Sequence, residues 1–200
     1  MRNFTDINII LDRSGSMDKI KDDTIGGYNQ FITDQKSNPD ANLTLIQFDH
    51  EYMPVYTNTP ITEVPKLTKE TFIPRGRTAL FDALGKSIKD AGKRLADLPE
   101  QDRPNKVLFV IITDGEENDS KEFTSEQILN KIKHQTEVYN WDFVYIGANQ
   151  DAFANSSNIG IAKGNTLSYV GDSRGTQNVY TKLSDHMTTY RTTDNKSFFE

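Results

Sequence analysis

In the run Ile9-Ile10-Leu11-Asp12-Arg13-Ser14-Gly15-Ser16-Met17 an aliphatic segment gives way at once to a carboxylate and two hydroxyls at alternate positions. The apolar part has the character of a buried strand. Its abrupt end places oxygen-bearing side chains at the C-terminal edge of a sheet, and open α/β sheets bind their ligands along that edge. Oxygens with no histidine or cysteine among them suit a hard cation such as Mg²⁺ or Mn²⁺.

Working outward, strands and helices alternate, and several strands are apolar on both faces. That pattern predicts a doubly wound, mostly parallel sheet with helices on both sides, an α/β Rossmann-like architecture. Ile7 to Leu11 form the first strand. Ile20, Thr24, Tyr28, Phe31 and Ile32 then share one helical face. Gly26 and Gly27 inside this helix cost it about 1 kcal/mol each relative to Ala, and close packing against the sheet is the expected compensation. Leu43 to Phe48 read as the second strand, with Tyr52 to Tyr56 pairing antiparallel to it at the sheet edge. A surface connection punctuated by Pro54, Pro60, Pro65 and Pro74 follows. Leu80, Leu84, Ile88, Ala91, Leu95 and Leu98 mark an amphipathic helix that Pro99 ends.

Val107 to Ile112 is the most hydrophobic strand and belongs at the centre. Thr124 and Gln127 form a capping box for a helix carrying Ile128, Leu129 and Ile132. Phe143 to Gly147 is a further strand, followed by a helical turn from Ala152 to Asn158, a last strand from Thr166 to Val170, and a closing helix faced by Val179, Leu183, Met187 and Tyr190. Residues 1–191 are expected to form one domain and 192–200 a frayed polar tail.

Composition narrows the functions. The 200 residues carry 23 Lys and Arg against 29 Asp and Glu, a net charge of −6 without a concentrated basic stretch, so a nucleic-acid partner is not expected. With no cysteine, disulfides, thiolate zinc sites and a cysteine nucleophile are all excluded. The first residues lack a secretory-signal pattern, and the longest apolar run is too short to span a bilayer. The expectation is a cytoplasmic protein with no membrane partner.

Two more polar positions fall where a strand-edge site needs them. Thr78, in Arg75-Gly76-Arg77-Thr78-Ala79-Leu80, opens the amphipathic helix. Asp114 ends the central strand in Ile112-Thr113-Asp114-Gly115. The candidate metal ligands are therefore Asp12, Ser14, Ser16, Thr78 and Asp114. With these residues in this order, the chain closely resembles the von Willebrand factor A (integrin I-like) domain. That family's metal-ion-dependent adhesion site (MIDAS) has the pattern Asp-x-Ser-x-Ser, then a Thr, then an Asp, and all five positions are filled. Arg77 departs from the second glycine that many members carry before the Thr. The resemblance implies Mg²⁺, or Mn²⁺ or Ca²⁺ in its place, held directly by Ser14, Ser16 and Thr78. Asp12 and Asp114 then act through water or through hydrogen bonds to the serines. Mostly neutral ligands leave the ion electron-poor at its open position, where a carboxylate from another protein can bind.

The implied function is a non-enzymatic, cation-dependent protein-interaction module that captures an Asp or Glu. Intracellular members commonly work beside AAA+ ATPases or inside multi-subunit assemblies. The competing class is a Mg²⁺-dependent phosphohydrolase of the haloacid dehalogenase type, which places Asp-x-Asp after the first strand. Ser14 stands at the second position here and cannot serve as a general acid near neutrality. A third possibility is a structural subunit that binds metal for stability alone.

Other residues carry weaker signals. Glu116, Glu117 and Asp119 read as a solvated acidic loop, with a second cation as the alternative. Arg13, Arg75 and Arg77 lie near the mouth, either steering an acidic partner or simply exposed. Asn149 and Asp151 read as turn formers. His50, His134 and His186 form no constellation, Trp141 is expected to pack at the start of a strand, and no nucleotide-binding glycine motif is present.

Overall fold

The strand that leads into Asp12 is the middle of the molecule. In a computed structural model that describes residues 4–148, 151–193 and 198–199, β1 (Thr5–Asp12) is buried at every position. Parallel strands flank it on both sides, β2 (Ala41–Phe48) and β4 (Lys106–Thr113). Side chains alternate across a pleated strand, so Ile7, Ile9 and Leu11 enter one core while Ile10 enters the other. Asp12 shares the face of Ile10.

The sheet runs β3-β2-β1-β4-β5-β6, where β3 is Tyr52–Pro60, β5 Asp142–Ala148 and β6 Thr166–Tyr169. Every neighbouring pair is parallel except β2 with β3. Helices α1 (Lys21–Gln35) and α5 (Ser173–Thr192) cover the Ile7–Ile9–Leu11 face. Helices α2 (Leu80–Ala96) and α3 (Ser125–Tyr139) cover the other face, and the short α4 (Ala152–Asn158) packs against β5 and β6. The chain leaves β1 toward β2 and later returns on β1's other side as β4. The C-terminal ends of β1 and β4 therefore border the crevice where strand order reverses, the natural ligand site of such a sheet.

Several sequence expectations are refined. The first helix is preceded by a separate 3₁₀ turn, Gly15–Ile20, so α1 starts at Lys21. Gly27 is required by α5 rather than by the sheet, because a Cβ there would lie 2.3 Å from the Tyr180 ring; Gly26 has nothing within 4 Å. The edge strand β3 runs on past Tyr56 to Pro60, and an edge tolerates the prolines because one side of its ladder is free. Trp141 stacks on Phe109 at 5.5 Å between ring centres. In the stretch expected to fray, Phe198 is buried against Tyr190 and His186, and its amide donates to Asn165 Oδ1 at 3.0 Å. Two phenylalanines in an otherwise polar segment were the available signal. Among the described residues, no helix is long and apolar enough to cross a membrane.

Candidate metal centre

Register builds the first half of the site. Leu11 pairs with Ile112, so one residue further Asp12 lies beside Thr113, and the Thr113 hydroxyl donates to Asp12 Oδ2 at 2.6 Å. The other carboxylate oxygen, Oδ1, accepts the Ser14 amide at 2.6 Å and fixes the turn that leaves the strand. Ser14 and Ser16 hydroxyls are 3.1 Å apart, and Ser16 Oγ donates to Asp114 Oδ1 at 2.6 Å. The loops after β1 and β4 are thereby joined through their ligand-type side chains.

Thr78 arrives from a third loop, and Gly115 shows how close it comes. A Cβ on Gly115 would sit 3.1 Å from Thr78 Oγ1, 3.5 Å from Ser16 Oγ and 3.8 Å from Asp12 Oδ2. These oxygens thus converge on one cradle that a side chain at position 115 would fill. Asn118 clamps Thr78 from both sides: its Oδ1 accepts the Thr78 amide at 3.0 Å, and its own amide donates to the Thr78 carbonyl at 3.0 Å. All five expected residues are brought together at one sheet edge.

Electrostatically the centre is short of positive charge. Asp12 is fully buried, and its carboxyl is pushed up to about 6 from 3.8. Burial is the main cause, hydrogen bonds from Thr113 and Ser14 oppose it, and the charge of Asp114 adds to it. Asp114 Oδ2 is buried without a hydrogen-bond partner, with the Lys19 ammonium 3.6 Å away. Two buried carboxyl groups, one oxygen left without a donor and three hydroxyls facing a common space form a donor set that fits a hard divalent cation.

The surrounding charges are arranged differently from the sequence expectation. Arg13 is buried and its Nε pairs with Asp49 at 3.0 Å, while Arg75 Nε reaches the same Asp49 oxygen at 2.9 Å. Arg77 is exposed and pairs with Asp119 at 3.6 Å. Arg13 and Arg75 are therefore spoken for by Asp49, whereas Arg77 keeps the exposed position that was the alternative expectation. Asp49, His50 and Glu51 place potential ligand atoms within 4.8 Å of one another. Two guanidinium groups already occupy this cluster, so it works as an ion-pair knot. It ties the β1 loop to the segment before α2, whose backbones also bond directly: Arg75 N to Arg13 O at 2.8 Å and Gly15 N to Gly76 O at 3.2 Å. Gly76, at φ +67°, is needed both for that turn and because a Cβ would lie 2.2 Å from His50 Nδ1.

The acidic loop after Asp114 is likewise structural. Glu117 accepts the amides of Phe81, Asp119 and Ser120 and the Ser120 hydroxyl. Asp82 of α2 returns the contact by accepting the amides of Lys121, Glu122 and Phe123 at 2.9 Å each. Asp151 occupies the N-cap position of α4 without a side-chain cap bond; Asn149 lies outside the described residues. His134 is exposed on α3 with its ring against Tyr139, and His186 packs on Phe199. Thr113, Gly115, Asn118, Asp49 and Lys19 support the site without a role assigned to them from the sequence. Thr113 and Gly115 were accessible from strand alternation and from the Thr-Asp-Gly run, whereas Asn118 and Lys19 take their roles from loop geometry.

A mostly parallel sheet with one reversed edge strand, and an oxygen-only constellation at its switch point, define the class as a Rossmann-like α/β domain with a candidate cation site at its sheet edge. The von Willebrand factor type A domain family matches residues 6–182, and the chain belongs to it. No curated protein matches the chain in sequence. Among solved structures it resembles proximal thread matrix protein 1 from the mussel byssus with a zinc-occupied MIDAS motif (14% identity, TM-score 0.59, covering 90% of this chain and 45% of that one). It also resembles the pilus adhesin SpaC from Lactobacillus rhamnosus GG (12% identity, TM-score 0.68, 91% and 30%). A third is the manganese-loaded TRAP protein of Plasmodium vivax (18% identity, TM-score 0.62, 92% and 74%). The chain spans less than half of the mussel protein and under a third of SpaC. At these identities the likeness establishes the fold.

Proposed function

We propose that this chain is a divalent-cation-dependent protein-interaction module in which a metal at the Asp12–Ser14–Ser16–Thr78–Asp114 centre captures a carboxylate from a partner. The observation that carries this reading is the Gly115 cradle, where the oxygens of Thr78, Ser16 and Asp12 converge beside an Asp114 oxygen that has no donor. When bound, the cation supplies an open coordination position for an anionic oxygen.

The protein's own groups are disposed for that task. Ser16 Oγ spends its proton on Asp114, which leaves its lone pairs for a cation. Both oxygens of Asp12 are already engaged, one by Thr113 and one by the Ser14 amide. Its contribution is therefore long-range charge and the positioning of Ser14. Hydroxyls as the nearest ligands, with the carboxylates behind them, neutralise the metal only in part. The remaining charge offsets the cost of desolvating an Asp or Glu from the partner. The zinc-occupied and manganese-loaded relatives support a divalent ion of this size range, with Mg²⁺ as our choice and Mn²⁺ or Ca²⁺ as alternatives. A non-enzymatic role follows from Ser14 standing where a phosphohydrolase of similar sheet would hold its general acid. A cytoplasmic setting, inside a multi-subunit assembly or beside an AAA+ ATPase, completes the proposal.

The test is recovery of partners from native lysate with Mg²⁺, with chelator, and with Asp12→Ala in Mg²⁺. A partner seen only with wild-type protein in Mg²⁺ supports the reading. The same partner retained under chelation sinks it, and robust Mg²⁺-dependent phosphatase turnover lost in Asp12→Asn would replace it with the enzyme.

A further inference from the structure

We propose that Lys19 is a built-in counter-ion of the metal centre: its ammonium stands against Asp114 when no metal is bound and turns to the mouth, as a second positive charge for the incoming acid, once a divalent cation takes its place. The inference rests on the metal-site reading above. It adds a residue outside the five-oxygen pattern and defines the partner group as one carboxylate shared between metal and ammonium.

Lys19 stands in the last turn of the 3₁₀ segment Gly15–Ile20, the segment that also carries Ser16. Its Nζ lies 3.6 Å from Asp114 Oδ2, the distance of an ion pair rather than of a hydrogen bond, and its side chain is 56% exposed while that of Asp114 is wholly buried. The ammonium also reaches toward the turn between β6 and α5, where a Cβ on Gly171 would lie 3.6 Å from Nζ. Of the other basic residues in this neighbourhood, Arg13 and Arg75 are held by Asp49, and the exposed Arg77 stands 3.6 Å from Asp119, outside the ligand set. Lys19 differs from them because its partner is itself a member of the ligand set.

Two cations beside one carboxylate repel each other; Arg13 and Arg75 stay together on Asp49 because both also reach Glu51, and Lys19 has only the Asp114 ion pair. A divalent ion drawing on Asp114 removes the reason for Lys19 to stay, and an exposed, flexible four-carbon stem lets the ammonium leave at little cost. Lys19 therefore weakens the metal when the site is otherwise empty of ligand and strengthens the loaded site toward an anion. Metal and partner acid become coupled through one side chain.

Calorimetric titration with Mn²⁺ alone tests the first half, using wild type, Lys19→Gln and Lys19→Arg. Lys19→Gln is expected to bind Mn²⁺ about three- to tenfold more tightly at low ionic strength, with the gain shrinking as salt is raised; Lys19→Arg stays near wild type. Lys19→Gln binding no more tightly than a wild type that does bind Mn²⁺ overturns the proposal. A wild type that takes up no Mn²⁺ overturns the metal-site reading beneath it, so the two failures are distinct. Glutarate added to the Mn²⁺-loaded proteins, followed by water-proton relaxation, tests the second half. About threefold weaker binding by Lys19→Gln is expected, and equal binding removes the role toward the acid.

Discussion

Two buried carboxylates stand on the same face of β1, one at each end of the strand, and they meet opposite fates. Asp6 at the lower end, its side chain 2% exposed, has its cation built in: Arg94 of α2 reaches it at 2.8 Å, and the Asn8 side-chain amide adds a bond at 3.2 Å. Asp12 at the upper end is as deeply buried, yet its partners are a hydroxyl and a backbone amide, and its carboxyl is pushed up to about 6. A groove of about 790 Å³ opens beside Asp6 and Arg94, so volume alone does not separate the two ends. The local charge balance separates them. A buried acid with an internal cation holds the fold together, and one without it is completed from outside.

Substitutions that exchange these roles test the comparison most severely. Arg94→Leu leaves Asp6 buried and unpaired and is expected to cost about 3 kcal/mol or more of stability, read by denaturant unfolding, with Mn²⁺ affinity unchanged. Asp12→Asn is expected to do the reverse, lowering Mn²⁺ affinity at least a hundredfold while the chelated protein unfolds at the same or a higher denaturant concentration. If Arg94→Leu weakened the metal as much as Asp12→Asn, the two ends would not be separable.

The next effect is pH-dependent, and its sign differs for fold and metal. Asp12 titrates in the native state near 6 and in the unfolded chain near 3.8. Below the lower value both states are protonated and burial costs nothing. Above the higher value both states are ionised, but only the native state holds the charge away from water, a loss of roughly 3 kcal/mol. Metal-free stability from this group therefore declines as pH rises between those two values and then levels. Metal binding needs the carboxylate, so Mn²⁺ affinity is expected to fall about tenfold per pH unit below about 6. Calorimetry across that range, and thermal unfolding of the chelated protein, check the two slopes; Asp12→Asn should flatten the second.

How much of this contrast is legible from sequence depends on how local its cause is. Asp12, Ser14 and Ser16 follow an apolar run directly, and Asp114 ends another, so strand periodicity alone puts them on one sheet edge. Thr78 is legible because a glycine turn and an amphipathic helix frame it. The burial of Arg13 is not: it arises from Asp49, which the sequence places in a separate strand connection, and the pair forms only because β2 lies beside β1. Likewise Arg94 finds Asp6 across 88 residues. The assignment of Pro60 to a loop failed because proline marks a break in a central strand but not at an edge. Long-range pairing of charges, and which strand lies outermost, are decided by topology rather than by neighbours in the chain.

Thr113 offers the smallest and most specific perturbation. Its hydroxyl donates to Asp12 Oδ2 at 2.6 Å and accepts the Gly115 amide at 3.2 Å, so it couples the carboxylate to the cradle without belonging to the ligand set. Thr113→Val keeps the volume and removes the donor. Asp12 loses the leading interaction that holds its carboxyl down, and the pH midpoint for Mn²⁺ binding is expected to move up by about one unit. Well above that midpoint the affinity should stay within a few-fold of wild type, because the carboxylate is charged in both proteins. A unit shift at constant high-pH affinity makes the hydroxyl a tuner of Asp12. An equal loss at every pH would instead make Thr113 part of the metal's own coordination, and the boundary between the ligands and their supports would have to be redrawn.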